Sequence, residues 1–163
     1  MAKARDIPEL HGAMRFGDVA RIAVAIRAQE LFEQAENVLD IEDIERVHDM
    51  RVATRRLRAV LEVFAPAFEP EAYAAVLRDV KVLADALGAR RDPDVQLDAL
   101  ATLATRLPPE DHAGLDVFAQ RLRVEQAQGN QRLAAALQEV EDHDLAGRLA
   151  ALTGAEPEEV PVP

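Results

Sequence analysis

Residues 46–58 read Arg46-Val47-His48-Asp49-Met50-Arg51-Val52-Ala53-Thr54-Arg55-Arg56-Leu57-Arg58. The stretch holds five arginines, one histidine and a single aspartate, inside a 163-residue chain whose formal net charge is -11. Placed on a helix at about 100° per residue, Met50, Ala53, Leu57, Val60, Leu61 and Phe64 gather on one side. His48, Arg51, Arg55 and Arg58 fall on a narrow strip opposite them, and Arg56 sits nearer the flank. A core stripe faced by a cationic strip makes this an amphipathic helix and sets the helical reading of the chain around it.

The same spacing extends in both directions. An apolar pattern from Met14 to Leu39 predicts a first helix, and Asp40 and Asp43 stand where an N-cap is wanted for a second, Ile44 to Ala65, which Pro66 stops. Pro70 opens a third, with Gly88 at its C-cap. Arg91-Asp92-Pro93-Asp94 predicts a fresh start, with Asp92 as N-cap and Pro93 as first helical residue. That fourth helix carries Leu97, Leu100, Leu103 and Leu107 and ends at Pro108-Pro109. A last pattern runs from about Glu110 to Leu152, interrupted or kinked at Gly129 and weakened near its end by Gly147. No segment alternates as a strand. Hydrophobic residues make up 49% of the chain but aromatics only 4%, with alanine and leucine dominant, which favours helix over sheet. The expectation is an all-α antiparallel helical bundle over residues 13–152. A flexible tail is expected at 1–12 and a disordered acidic, proline-bearing one at 153–163.

Charge and composition exclude several classes. There is no cysteine, hence no disulfide or thiolate metal site. No run approaches the ~20 apolar residues of a membrane span, and no apolar leader opens the chain; a cytoplasmic protein is the expectation. Residues 46–91 sum to +3, whereas residues 1–45 sum to -5 and residues 110–163 to -7. Duplex nucleic-acid binders carry a basic domain, so this balance argues against that role and leaves room for a compact polyanion at one face. His11, His48, His112 and His143 lack partners at ligand spacing, so no metal or other cofactor is expected. Glycine-rich phosphate loops and nucleophile elbows are missing, the chain has no serine, and Thr54 lies toward the core side where it bonds a backbone carbonyl. No catalytic residue is assigned.

Arginine rather than lysine builds the strip. Its planar fork matches two phosphate oxygens, it stays charged at every relevant pH, and like charges on one strip repel until an anion joins them. Against this stands a plainer reading: a solvated helix face that pairs with the acidic residues of neighbouring helices. Arg78, Lys81 and Asp85 share one face of the third helix, and there too Asp85 serves either to flank an anion site or only to neutralise Lys81.

Val47 to Arg58 resembles the signature helix of the CHAD family, the conserved histidine α-helical domain. A second match follows: Leu77-Arg78, Lys81, Leu83-Ala84 and Leu87-Gly88 lead into Arg91-Asp92-Pro93-Asp94-Val95. The resemblance implies a non-catalytic helical module that binds inorganic polyphosphate, associated with polyphosphate granules. It also implies two similar four-helix bundles about a pseudo-two-fold axis. Carried over by position, the implied binding residues are His48, Arg51, Arg55, Arg56 and Arg58 on the signature helix, with Arg78, Lys81 and Arg91 from the second motif. Arg90 is added as its neighbour. The chain departs from the family in lacking a second basic helix in its C-terminal part, so it resembles one four-helix half. Two readings of that departure stand: a homodimer that rebuilds the symmetric groove, or a reduced member of weak affinity. A helical oligomerisation scaffold and a His48-dependent phosphate-handling enzyme are the competing functional classes.

Overall fold

The computed structural model describes residues 4–7 and 10–155. It contains five helices: α1 (Phe16–Glu33), α2 (Ile44–Phe64), α3 (Pro70–Ala104), α4 (His112–Asp142) and α5 (Leu145–Thr153). Short 3-10 turns at Ala65–Ala67 and Pro109–Asp111 carry the chain into α3 and α4, and no strand occurs among the described residues. The chain is an all-α helical bundle. α2 lies between α1 and α3, α5 closes against α1 and α3, and α4 runs beside α3. Arg58 of α2 feels the charge of Asp85, while Arg91, further along α3, reaches back to Glu45 at the start of α2. Later residues of α3 thus meet earlier residues of α2, so the two helices are antiparallel.

The core follows the apolar stripe. Met50, Ala53, Leu57 and Leu61 of α2 are buried with Leu31 of α1, Leu83 and Leu87 of α3, Leu133 of α4 and Leu149 of α5. Burying each such leucine contributes about 1.5–3 kcal/mol. Thr54, fully buried in this stripe, satisfies its hydroxyl by donating to the Met50 carbonyl at 2.8 Å. Val60 and Phe64 are only half-buried, and Phe64 packs at a tilt against Phe16 with ring centroids 5.3 Å apart.

Element boundaries depart from the sequence expectation in three places. α1 stops at Glu33 rather than Leu39: residues 34–39 form turns in which Asn37 takes φ 54°, a left-handed value asparagine tolerates. Ala35 and Val38 keep the helical apolar spacing because they plug into the core from that turn. Next, α3 does not break between Gly88 and Asp92 but is one helix of 35 residues with Pro93 inside it. Proline removes the amide that would pair with the Ala89 carbonyl. At that point α4 comes in close, for a methyl group at Gly129 would lie 2.9 Å from both Ala89 O and Arg90 Cα. Gly129 therefore admits contact between two backbones and does not kink α4. Third, the last helix divides at Asp144, which has φ 50° and caps α5 by accepting from the Gly147 amide at 3.1 Å.

α3 and α4 outrun the bundle. No residue from 95 to 121 is buried, and none between 88 and 132 belongs to the core cluster. Their adjoining ends form a two-helix hairpin that projects on the order of 15–20 Å, at 1.5 Å per residue. At the other end of the chain, residues 4–7 are irregular, yet Arg5 is tied down: its amide donates to Glu30 and its guanidinium pairs with Glu33. Thr153, placed by the sequence in the C-terminal tail, is instead the buried last residue of α5; residues 156–163 of that tail lie outside the described residues.

Candidate anion-binding face

Because the apolar stripe of α2 is pinned to the core, its cationic residues are forced outward. Arg55 is exposed, and His48, Arg51 and Arg58 are half-buried along the shoulder of the helix. On α3, the stripe of Val76, Val80, Leu83 and Leu87 turns Arg78 outward and leaves Lys81 half-buried. By helical phase the two sets border one solvent face across the α2–α3 seam.

The electrostatics of this face are uneven. Among the described residues, no ion pair engages Arg51, Arg55 or Lys81. Arg58 donates from Nε to Glu62 Oε1 at 2.9 Å, one turn on. That hydrogen bond first, then the Glu62 and Asp85 charges, hold its guanidinium above the ordinary arginine value. Asp85 thus acts on Arg58 across the seam. Arg78 lies 3.8 Å from Asp79, whose buried carboxylate is already engaged by Arg148 and, at 3.3 Å, by His143 Nδ1. Arg51, Arg55, Arg58, Arg78 and Lys81 thus stand on the outward sides of α2 and α3, with Glu62 paired to Arg58 and Asp85 acting on it across the seam.

Three of the predicted residues do not join them as surface donors. Arg90 is fully buried; its Nη1 meets Asp94 Oδ1 at 2.5 Å and its Nε donates to Asn130 Oδ1 at 3.2 Å. It is a core brace, out of reach of an anion at the surface. The reason is the unbroken α3: Asp94 is one turn beyond Arg90 on the same inward face, rather than in the first turn of a new helix. Arg91 is 15% exposed and sits 3.8 Å from Glu45 and 3.9 Å from Asp94, stitching α2 to α3 at the edge of the face. Arg56 turns to the other flank of α2, where its charge acts on Glu30 of α1.

Sequence reading set Asp85 beside Lys81 but overlooked Glu62, Asp94 and Glu30 as partners of the predicted cations. Glu62 carried a signal, since it stands four residues after Arg58 on one helix face. Asp94 carried one only if α3 is continuous. Glu30 is held by both Arg27 and Arg5: burial pushes its carboxyl up, but the Arg27 and Arg5 hydrogen bonds with the Arg27 and Arg56 charges outweigh this, and its pKa is lowered. Among the described residues there is no group of three metal-ligating side chains.

The arrangement defines an all-helical domain organised around one helix that carries a histidine and a row of arginines outward from a leucine-rich core. The family model for the CHAD domain matches residues 22–162, and the chain belongs to that family. No curated protein and no solved structure matches it.

Proposed function

We propose that this chain is a non-catalytic module that holds inorganic polyphosphate on the α2–α3 face. The observation that carries the reading is a set of outward cations without ion pairs among the described residues, Arg51, Arg55 and Lys81, on a chain that is acidic overall. Arg51 and Arg55 are one turn apart, about 6 Å along the axis, and Arg58 continues the row. Such a row suits a ligand that repeats its charge along a chain better than a single phosphate. Arginine forks supply bidentate contacts, Arg78 and Lys81 supply charge from the facing helix, and His48 adds a hydrogen bond. Arg91 shapes the edge of the face, while Arg90 and Arg56 stand outside it. Membership of the CHAD family supports the ligand class. No helix among the described residues is long and apolar enough to cross a membrane; a cytoplasmic setting, at polyphosphate granules, belongs with this proposal.

Calorimetric titration with long-chain polyphosphate at low salt tests it. The wild-type chain binds, and Arg51→Glu/Arg55→Glu, which leaves the core untouched, loses at least about tenfold in affinity. Equal binding by both proteins, or none by the wild type, refutes the assignment.

A further inference from the structure

The projecting α3–α4 hairpin leaves large apolar side chains uncovered. Val117 is 75% exposed, Phe118 45% and Leu103 43%, and all three lie where no residue is buried. Gly114 sits in the same stretch, in the first turn of α4. Among the described residues nothing presses on it, because a methyl group there would meet no atom within 4 Å. At Gly129 the equivalent glycine is explained by the backbone of α3 pressed against it. Gly114 has the same small surface with no helix on it.

We propose that this face pairs with the same face of a second copy of the chain, α4 crossing α4 antiparallel about a two-fold axis. The charges choose a second copy over an unrelated partner. Glu110, in the 3-10 turn that leads into α4, and Arg121, nearer the base of the hairpin, carry opposite charges at either end of the patch. By helical phase Arg121 lies on the same side of α4 as Gly114 and Val117, and Glu110 lies past Gly114, beyond the first turn of the helix. An antiparallel two-fold pairing that sets Glu110 of one copy against Arg121 of the other also sets Gly114 against Val117 on both sides of the axis. The patch is complementary to itself, as an isologous interface requires. Arg121 is free to swing, since its monomer partner is the exposed Glu125 one turn away at 3.1 Å. Leu103 and Phe118 extend the apolar centre onto α3. The α2–α3 cations lie in the bundle, away from the hairpin, so the pairing stands or falls independently of polyphosphate binding.

Sedimentation equilibrium of the full chain from micromolar to hundreds of micromolar tests the proposal. The wild type dimerises within that range. Glu110→Arg and Arg121→Glu each weaken the dimer about tenfold by placing like charges across the interface. The double variant recovers most of the loss, because on a two-fold axis each exchanged charge meets its exchanged partner. Val117→Glu abolishes pairing with unchanged far-UV circular dichroism. A monomer at every concentration overturns the proposal, leaving the face to a different protein. A dimer indifferent to the single reversals, or one the double variant fails to restore, overturns it as well.

Discussion

Arg90 and Asp94 form an ion pair with both side chains fully withdrawn from solvent, Nη1 to Oδ1 at 2.5 Å. Around that pair the structure is cross-braced. Asp94 also accepts from the Gln126 amide at 2.6 Å, and Asn130, which receives Arg90 Nε, donates in turn to the Leu39 carbonyl at 3.0 Å. The middle of α3 is thereby locked to α4 and to the α1–α2 connection. Truncating either partner strands a buried charge, so Arg90→Ala or Asp94→Ala is expected to cost about 3–5 kcal/mol in denaturant unfolding. Replacing both with apolar side chains, Arg90→Met/Asp94→Leu, is expected to cost less than either. That double variant should also keep its affinity for polyphosphate, which separates the buried arginine from those on the face.

On the proposed reading, Glu62, hydrogen-bonded to Arg58 at 2.9 Å, competes with polyphosphate for that guanidinium. Glu62→Gln removes the carboxylate that holds the Arg58 guanidinium. Affinity for polyphosphate is expected to rise about threefold to tenfold at low salt. Thermal stability should barely move, since an exposed, solvent-screened pair one turn apart contributes little. Titration and a melting curve on the same protein read both effects.

Two helical glycines, Gly129 of α4 and Gly88 of α3, predict opposite outcomes. Gly129→Ala drives a methyl group to 2.9 Å from backbone atoms of Ala89 and Arg90 that cannot swing aside. It is expected to destabilise by about 1–3 kcal/mol through a forced shift of the helices. Gly88→Ala meets nothing within 4 Å and lies mid-helix in α3, so it should stabilise by up to about 1 kcal/mol. Equilibrium unfolding of both variants checks the pair.

Acid should loosen the junction of the N-terminal segment with α1. Glu30 has a lower pKa in the fold than its ordinary 4.5, so its contribution is complete above that value and is lost as the pH falls through the lowered folded pKa. Glu30→Gln should flatten the stability profile below about pH 4.5 relative to wild type. Stability measured from pH 3 to pH 7, about the range over which carboxylates titrate in proteins, would show the difference in slope.

Much of the fold was legible because α2 announces both its faces: the apolar stripe and the cationic strip are sorted by helical phase alone, and the burial of Met50, Ala53, Leu57 and Leu61 follows it. The Arg91-Asp92-Pro93-Asp94 segment misled for a physical reason. Proline after an aspartate is the usual signature of a helix start, and only the tertiary contact at Gly129, with the staples from Arg90 and Arg91 to Asp94, makes it an interior turn. The same contact is why Arg90 read as a surface cation: its direction depends on α3 being unbroken. Position in the chain could not show that Arg56 leans to α1 while Arg58 leans to α3, because that depends on which neighbour packs on each flank. The projecting hairpin escaped too, since its leucines are spaced like those of a core helix and only the shortness of α1 and α2 leaves them uncovered.

The central claim is that a repeating polyanion sits on Arg51, Arg55, Arg58, Arg78 and Lys81. The most direct measurement is the salt dependence of polyphosphate affinity for the wild type and for Arg51→Glu/Arg55→Glu, with duplex DNA as the comparison ligand. If these side chains release counterions on binding, the wild-type slope of log affinity against log salt should be steep. The variant's slope should be shallower by roughly 0.7–0.9 for each phosphate that is no longer neutralised, as found for nucleic-acid polyanions. Duplex DNA should bind far more weakly at every salt concentration. An unchanged slope in the variant, or DNA bound as tightly as polyphosphate, would contradict the account.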